Sequence, residues 1–550
     1  GPVSIIGATT KSIAFSKPGE QLLNFELRCD AAHSGQAKVK IRATGGGQQA
    51  TETININVRN PLPDIITSES IVLDSEQRHR FDLSPQSTAE LTIATMPAID
   101  FSGAFTFVAN YAHYCTEQLS ARAMYLLYAR KFLDSDEAAL AERALPALLK
   151  AIASRQLASG GFVYWPGNDS AHEWATSMAG EVMTEARHQG FTVANQSIDR
   201  WKAYQNSAAR SYRHTTAEAA DIVQAYRLYT LALAGEEPIA AMNKLRESKC
   251  ISEQALLRLA AAYALIGRSD VANRLIDKAA STPAIDGSYA TFWSPLRDKA
   301  MALESYQLVG NKSRAFALAK EVASQFSATN CSTQEVAFVS AAMSRMSYVI
   351  DKSTSEVAIS DDSGERSVIS NLRGVKSLSL DTAHKYVEVI NIGNEELYTA
   401  LMTRRTPSAD EQIMPEANGV EIAVRYTDIE GRTINIESIN QGDEFLAHID
   451  VRKLSNSSES LALCYAVASG WEIWNERLVG GANNLGTTYT DIRDERISWY
   501  FSLGANESRC FTVRFRAAYA GTFILPPTVC EDMYNTACRA TTSNSKTIVK

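Results

Sequence analysis

The 550-residue chain has no run of about twenty apolar residues, which excludes a helix that spans a bilayer. It has no Lys/Arg-dense stripe either, and its formal net charge is −8. Neither nucleic acid nor an anionic membrane surface is therefore expected as a partner. The glycine triplet Gly45-Gly46-Gly47 is followed by a strand pattern and not by a helix, so it reads as a turn rather than a phosphate cradle. His172-Glu173 begins like a zinc-protease helix, but Thr176 stands in the place of the second histidine. No metal site follows from it, and no cofactor is expected. His172, His188 and His214 read as surface or capping residues. Cysteine is sparse, eight in the whole chain, a density that declares no oxidising compartment.

What is present is ordinary globular material, 45% apolar and 21% charged, in a chain long enough for three or four domains. Residues 3 to 60 carry alternating apolar positions at Leu23, Phe25, Leu27, at Val39, Ile41, and at Ile54, Ile56, Val58, as strands do. Pro61-Leu62-Pro63 marks a boundary. Residues 64 to 103 then supply about three strands, too few for an independent sandwich. From Phe101 to about residue 350 the apolar spacing becomes three and four, which predicts about eleven or twelve helices. Thr215-Thr216-Ala217-Glu218 and Ser332-Thr333-Gln334-Glu335 have the spacing of capping boxes. Tyr263-Ala264-Leu265-Ile266-Gly267 and Tyr306-Gln307-Leu308-Val309-Gly310 end equivalent helices 43 residues apart. Tetratricopeptide repeats run at about 34 residues, so a closed α/α toroid of helix pairs fits better.

After Met346 the period returns to two, at Tyr386–Ile392, Val420–Val424 and Phe445–Val451. The stretch 351–405 is again too small to stand alone. Two incomplete β-segments around a helical block predict one β-domain, 61–103 plus 351–405, split by insertion of 104–350. Residues 1–60 are then a separate β-segment and 406–550 a final β-sandwich. Cys464 with Cys510, and Cys530 with Cys538, are candidate bridges in this β-rich sequence, with buried free thiols as the alternative.

The chemistry is concentrated in Tyr111-Ala112-His113-Tyr114-Cys115-Thr116-Glu117-Gln118. Positions i and i+3 share one face of a first helical turn, so the sulfur of Cys115 can reach the side-chain carbonyl carbon of Gln118. Loss of ammonia would close an internal thioester, an electrophile for amines and hydroxyls. The competing readings of Cys115 are a buried structural thiol and a catalytic thiolate with His113 as base, for which a protease signature is missing.

With Leu91–Asp100 upstream, Gly160-Gly161-Phe162-Val163-Tyr164-Trp165-Pro166-Gly167, and Ser332–Phe338, this segment resembles the thioester domain of the bacterial alpha-2-macroglobulins. These are relatives of the animal macroglobulins and complement thioester proteins. The family most often has glycine where this chain has Tyr114, and tyrosine where it has His113. The resemblance covers essentially the full chain. It implies a multidomain α and β protein, with an α/α toroid thioester domain inserted in a CUB-like β-domain and flanked by macroglobulin-like β-sandwiches. It implies a thioester between Cys115 and Gln118, kept dry by a lock of Tyr111 and His113 on one side and Met533 and Tyr534 on the other. The function implied is that of a broad-spectrum endopeptidase inhibitor of bacterial defence and not an enzyme: a monomer of the periplasm or cell envelope that couples lysine amines of target proteases to Gln118. The Gly1-Pro2 start reads as a scar of tag removal, with the bait segment and most β-domains expected upstream.

Two rivals come from other classes. A thioester-bearing adhesin or surface scaffold would use the same bond on another target. A catalytic α/α toroid acting on carbohydrate would need acids, histidines and aromatics clustered on its hairpin loops, and none stands out.

Overall fold

The computed structural model describes residues 3–21, 23–29, 35–58, 60, 62–111, 113–213, 220–248, 251–282, 289–346, 355–408, 411–454, 456, 458–474, 486–535 and 537–550. His214 and the Thr215–Glu218 capping spacing lie outside these residues, as does Pro61. β1 (Val3–Ile6) pairs with β2 (Glu26–Cys29), and β3 (Gly35–Gly45) with β4 (Gln48–Val58). The β3–β4 turn is made by Gly46 and Gly47, whose φ of 55° and 74° are the left-handed pair that a two-residue hairpin requires. Each ladder has two strands, so neither has a second layer to cover it. The alternating Leu23, Phe25, Leu27, Ile41 and Ile54 accordingly stay exposed instead of forming a core.

The next strands interleave across the helical block. β5 (Ile65–Leu73), β6 (Arg78–Asp82) and β7 (Thr88–Ala94) precede it, and β8 (Ser355–Asp361), β9 (Arg366–Leu372), β10 (Val375–Leu380), β11 (Tyr386–Asn391) and β12 (Leu397–Arg405) follow it. One antiparallel sheet runs β10-β7-β12-β5 and the other β6-β11-β8-β9. Leu401 of β12 lies opposite Leu91 of β7. Leu91, Ile93 and Leu401 share a core with Phe81, Val357, Val387 and Val389 of the second sheet.

Twelve α-helices occur among the described residues: α1 (Phe101–Asn110), α2 (Thr116–Ala129), α3 (Ser135–Ala153), α4 (Glu173–His188), α5 (Asn195–Ser211), α6 (Ala220–Leu233), α7 (Ile239–Arg246), α8 (Glu253–Leu265), α9 (Ser269–Ala279), α10 (Pro295–Val309), α11 (Lys312–Gln325) and α12 (Thr333–Met346). The even-numbered helices touch in order, and α12 returns to α2. Each of α3, α5, α7, α9 and α11 packs on the even-numbered helix before it. Burial follows this division. α8 is buried without a break from Ala255 to Tyr263, whereas α9 buries only Ala272, Leu275, Ile276 and Ala279, a single stripe. Inside the even-numbered set Glu304 accepts from Arg258 Nη1 at 2.5 Å, Arg345 Nε at 3.1 Å and the Tyr229 hydroxyl at 3.0 Å, the pairing that burial of a charge demands. The capping box expected at Ser332 is formed, with Glu335 N donating to Ser332 Oγ (3.2 Å) and Ser332 N to Glu335 Oε2 (2.8 Å).

The remaining strands are β13 (Glu416–Asn418), β14 (Val420–Asp428), β15 (Ser438–Ile439), β16 (Glu444–Lys453), β17 (Ser458–Ala466), β18 (Trp471–Ile473), β19 (Tyr489–Arg493), β20 (Arg496–Leu503), β21 (Ser508–Ala517), β22 (Gly521–Leu525), β23 (Val529–Asp532), β24 (Arg539–Thr541) and β25 (Ser545–Val549). They form sheets β13-β24-β23-β17-β20-β19, β14-β16-β21-β18 and β15-β25-β22. Alternation along β17 sends Leu461, Leu463 and Tyr465 into the sandwich core. Ala462, with Tyr500, Met533 and Tyr534, joins the core of the helical block.

The same alternation corrects the candidate bridges. Cys464 lies on the Ala462 face of β17, while Cys510 is exposed in β21 just before the core residue Phe511 of the other sheet, and both are free thiols. Cys530 and Cys538 are likewise free, the latter accepting a hydrogen bond from Lys453 Nζ at 3.2 Å. No helix among the described residues is long and apolar enough to cross a membrane.

Candidate functional site

Helix α2 begins with a capping box built from an unusual pair. Cys115 is the N-cap residue in extended conformation, with φ −66° and ψ 166°. Its Sγ accepts from the backbone N–H of Gln118 at 3.4 Å, and Gln118 Oε1 accepts from the backbone N–H of Cys115 at 3.2 Å. These reciprocal bonds satisfy two orphan donors of the helix start. They also hold the thiol and the carboxamide on one face, both fully buried. The Thr116 N–H donates to the Tyr164 carbonyl at 2.9 Å, and the Thr116 hydroxyl to that of Val163 at 2.5 Å. The glycine-rich segment after α3 is thereby stitched to the helix start.

The predicted residues gather here from both ends of the chain. Gln118 Nε2 donates to Met533 Sδ at 3.1 Å and to the Tyr111 hydroxyl at 3.5 Å. The Tyr534 hydroxyl lies 3.8 Å from Cys115 Sγ and 2.8 Å from the Tyr164 hydroxyl. His113 is buried, its Nδ1 2.9 Å from the Tyr500 hydroxyl and its Nε2 3.1 Å from Glu531 Oε1. Its ring stands edge-on to Tyr111 at 5.1 Å. The turn after β23 aims the distal pair: Asp532 Oδ1 accepts from the N–H groups of Tyr534 and Asn535, and Met533 N donates to the Ser460 carbonyl. Tyr114, in the position before the thiol, turns outward to a half-buried setting between Arg493 and Arg122, 4.9 and 5.6 Å from its ring.

Electrostatically the pocket resists charge. Burial, and then the Glu117 carboxylate, push the Cys115 thiol up to about 12. The pocket thus works against a thiolate at Cys115, and the two His113 ring nitrogens are engaged by Tyr500 and Glu531. Glu117 is also fully buried, and burial raises it to about 7 against the opposing pull of Gln334, Tyr534, Thr333 and Arg297. Its oxygens accept from Gln334 Nε2 (2.5 Å), Thr333 Oγ1 (3.1 and 3.2 Å) and the Tyr534 hydroxyl (2.8 Å). Burial acts to raise Glu531, but the bonded His113 brings it below its usual range.

Sequence reasoning missed several members. Glu117 was visible between Cys115 and Gln118, yet nothing in its neighbours marks it as buried. Tyr164 stood within the glycine-rich segment without a role of its own, and Tyr500 and Phe292 carried no signal. Phe292 has φ +51° and stacks on Tyr534 at 4.4 Å and on Tyr164 at 5.6 Å. Such left-handed backbone at a bulky residue is costly and concentrates at functional sites. His172 caps α4, its Nδ1 accepting from Ala175 N at 3.3 Å, and burial lowers it to about 4. Ligand atoms of Asp361, Asp362 and His384, and of Glu90, Asp134 and Glu137, lie within 4.8 Å of one another, and neither group includes a residue of the Cys115 site.

A Cys-x-x-Gln face is sealed at the start of a helix, and strands from before and after the helices share the same two sheets. Residues 419–536 match the bacterial alpha-2-macroglobulin MG10 domain, and the whole chain is a homologue of the C-terminal portion of the bacterial alpha-2-macroglobulins. An alpha-2-macroglobulin homolog of Yersinia pestis is 22% identical over 597 aligned residues, covering 97% of this chain and 29% of that protein. The alpha-2-macroglobulin of Xylella fastidiosa is 24% identical over 603, covering 98% and 36%. The chain thus spans about a third of the length of these relatives. In fold it is similar to native Escherichia coli alpha-2-macroglobulin from domain MG7 to the C-terminus, with TM-score 0.85, 18% identity and coverage of 100% of this chain and 93% of that one. Salmonella alpha-2-macroglobulin reacted with methylamine is similar at TM-score 0.84 and 20% identity, covering 100% and 38%.

Proposed function

We propose that Cys115 and Gln118 join as an internal thioester and that the chain is the reactive part of a protease trap, an endopeptidase inhibitor and not an enzyme. One observation carries this reading: the reciprocal capping bonds that bring Sγ and the carboxamide together inside a fully buried pocket. A thioester exposed to water is lost by hydrolysis, so such a site needs a cover. Tyr111, His113, Met533 and Tyr534 are the proposed lock. When the cover lifts, a lysine amine of a bound protease attacks Cδ of Gln118. The S–Cδ bond breaks, the protease remains on Gln118 as an amide, and Cys115 regains its thiol.

The accompanying domain reading takes 1–60 as a β-segment, 61–103 plus 351–405 as a CUB-like β-domain, 104–350 as an α/α toroid thioester domain inserted in it, and 406–550 as the C-terminal macroglobulin-like sandwich. The interleaved sheets and the cyclic contacts of the even-numbered helices support it. The trigger, a bait segment that proteases cut, is assigned to the part of the relatives' length outside this chain. The protein is proposed to act as a monomer in the periplasm or cell envelope. Intact mass tests the central claim: the native chain is expected one ammonia lighter than its sequence, with Cys115 silent to thiol reagents. Methylamine should release that thiol and leave a methylamide on Gln118. An unchanged mass with a freely titrating Cys115 overturns the proposal.

A further inference from the structure

Resting on the thioester reading, we propose that Glu117 is the acid that protonates the Cys115 sulfur as an amine opens the bond, with the Tyr534 hydroxyl as the relay. The leaving group creates the need. Burial and the neighbouring carboxylate hold the Cys115 thiol near 12, so a bare thiolate in this pocket is costly and a proton must arrive as the S–Cδ bond lengthens. Four polar groups are within reach of Sγ: the Gln118 N–H at 3.4 Å, the Tyr534 hydroxyl at 3.8 Å, Glu117 Oε2 at 4.0 Å and the Tyr164 hydroxyl. The amide N–H holds its proton, and burial raises Tyr534 and Tyr164 well above the usual phenol value. Glu117, raised to about 7, is the group that carries a transferable proton near neutral pH.

The relay has both legs in place. The Tyr534 oxygen lies 2.8 Å from Glu117 Oε2 and 3.8 Å from the sulfur; when Glu117 is protonated it donates to that oxygen, which leaves the phenol proton free to pass to sulfur as the carboxyl proton replaces it. Thr333, Gln334 and Tyr164 fix the two ends. The groups facing Glu117 are Arg297, whose charge lowers it, and the neutral thiol and phenols of Cys115, Tyr111, Tyr164 and Tyr534. In the step, the amine lone pair forms N–Cδ and the S–Cδ pair goes to sulfur. Sulfur takes the relayed proton, and the proton shed by the amine restores Glu117. The product is an amide plus a thiol, with nothing oxidised. Gln118 Oε1, already bonded to the Cys115 N–H at 3.2 Å, has a donor for the developing oxyanion. Closing of the ring is the reverse, with Glu117 taking the thiol proton.

The test follows methylamine-released thiol from about pH 6 to about pH 9, with each rate divided by the concentration of unprotonated amine. The wild-type value should fall roughly tenfold per unit above about pH 7, as the acid ionises. Glu117→Gln should be slower on the order of 100-fold at low pH and flat across the range. Tyr534→Phe, which keeps the covering ring, should be slowed as well, whereas a purely shielding role would leave it at the wild-type rate. A flat wild-type profile, or Glu117→Gln with the wild-type rate and profile, overturns the proposal. Should Glu117→Gln arrive with its ring unclosed, the wild-type profile and Tyr534→Phe decide. A wild-type mass lacking the ammonia loss would instead overturn the thioester itself.

Discussion

A single hydroxyl proton at Ser102 makes a further pH prediction at the scale of one residue. Ser102 Oγ lies 2.5 Å from Glu90 Oε1 and 2.9 Å from Glu137 Oε2. One hydroxyl proton cannot serve two carboxylates, so one of the acids must donate to the serine oxygen. Burial, and then the Glu90 charge, raise Glu137 to about 8, and burial raises Glu90 too, with Asp134 and Asp100 adding in the same direction. The folded pKa of Glu137 exceeds its unfolded value. Its contribution to stability is therefore fully present below about pH 4.5 and is lost as pH rises toward about 8. The melting temperature of Glu137→Gln should accordingly match or trail the wild type at pH 5 and exceed it at pH 8.5. An identical slope in both proteins would show that the shared proton is absent.

Elements explain what the sequence could disclose. The spacing of Cys115 and Gln118 was legible because a helix start imposes it: the bonds that cap α2 are the ones that bring sulfur to carboxamide. Helix number was legible for the same reason, since period is a local property. The partners of Glu117 were not. Thr333, Gln334 and Tyr534 lie 216, 217 and 417 residues away, and only closure of α12 onto α2 and docking of β23 bring them in. The strand pattern of residues 3–60 carried no information on burial, because alternation marks two faces without saying that either is covered. Packing between α4 and α5 supplies an element-scale test. A Cβ on Gly180 would come within 1.9 Å of the Trp201 ring, whose Nε1 is tied to the Thr176 carbonyl at 2.9 Å. Gly180→Ala gains helix propensity but overpacks a fixed indole. It is expected to destabilise by about 1 to 3 kcal/mol in thermal or denaturant unfolding, and a neutral or stabilised variant would show that α5 can shift freely.

At the scale of the molecule, the last sandwich completes the pocket of the first helices. Met533 and Tyr534 are nearly buried, and with Ala462 and Tyr500 they join the core of the helical block. Tyr534 reaches the sulfur from 419 residues away. This contact is one turn after β23, held by Asp532, so it is rigid on its own side and can separate from α2 without unfolding either partner. Removing the Met533 side chain should weaken closure rather than fold, because a buried side chain is worth about 1.5 to 3 kcal/mol and the sandwich retains its separate core of Leu461, Leu463, Phe511 and Phe515. Each 1.4 kcal/mol is about tenfold in the open population. Met533→Ala, which keeps the Tyr534 hydroxyl, should then release the Cys115 thiol in plain buffer on the order of 10- to 100-fold faster than wild type. A protein amine too large for the closed pocket should gain more than methylamine does. Circular dichroism and the melting profile should change little. Thiol release at the wild-type rate in both reagents would mean that Met533 packs at the site without guarding it, and that the barrier to water lies in Tyr164, Phe292 and the β20 face around Tyr500.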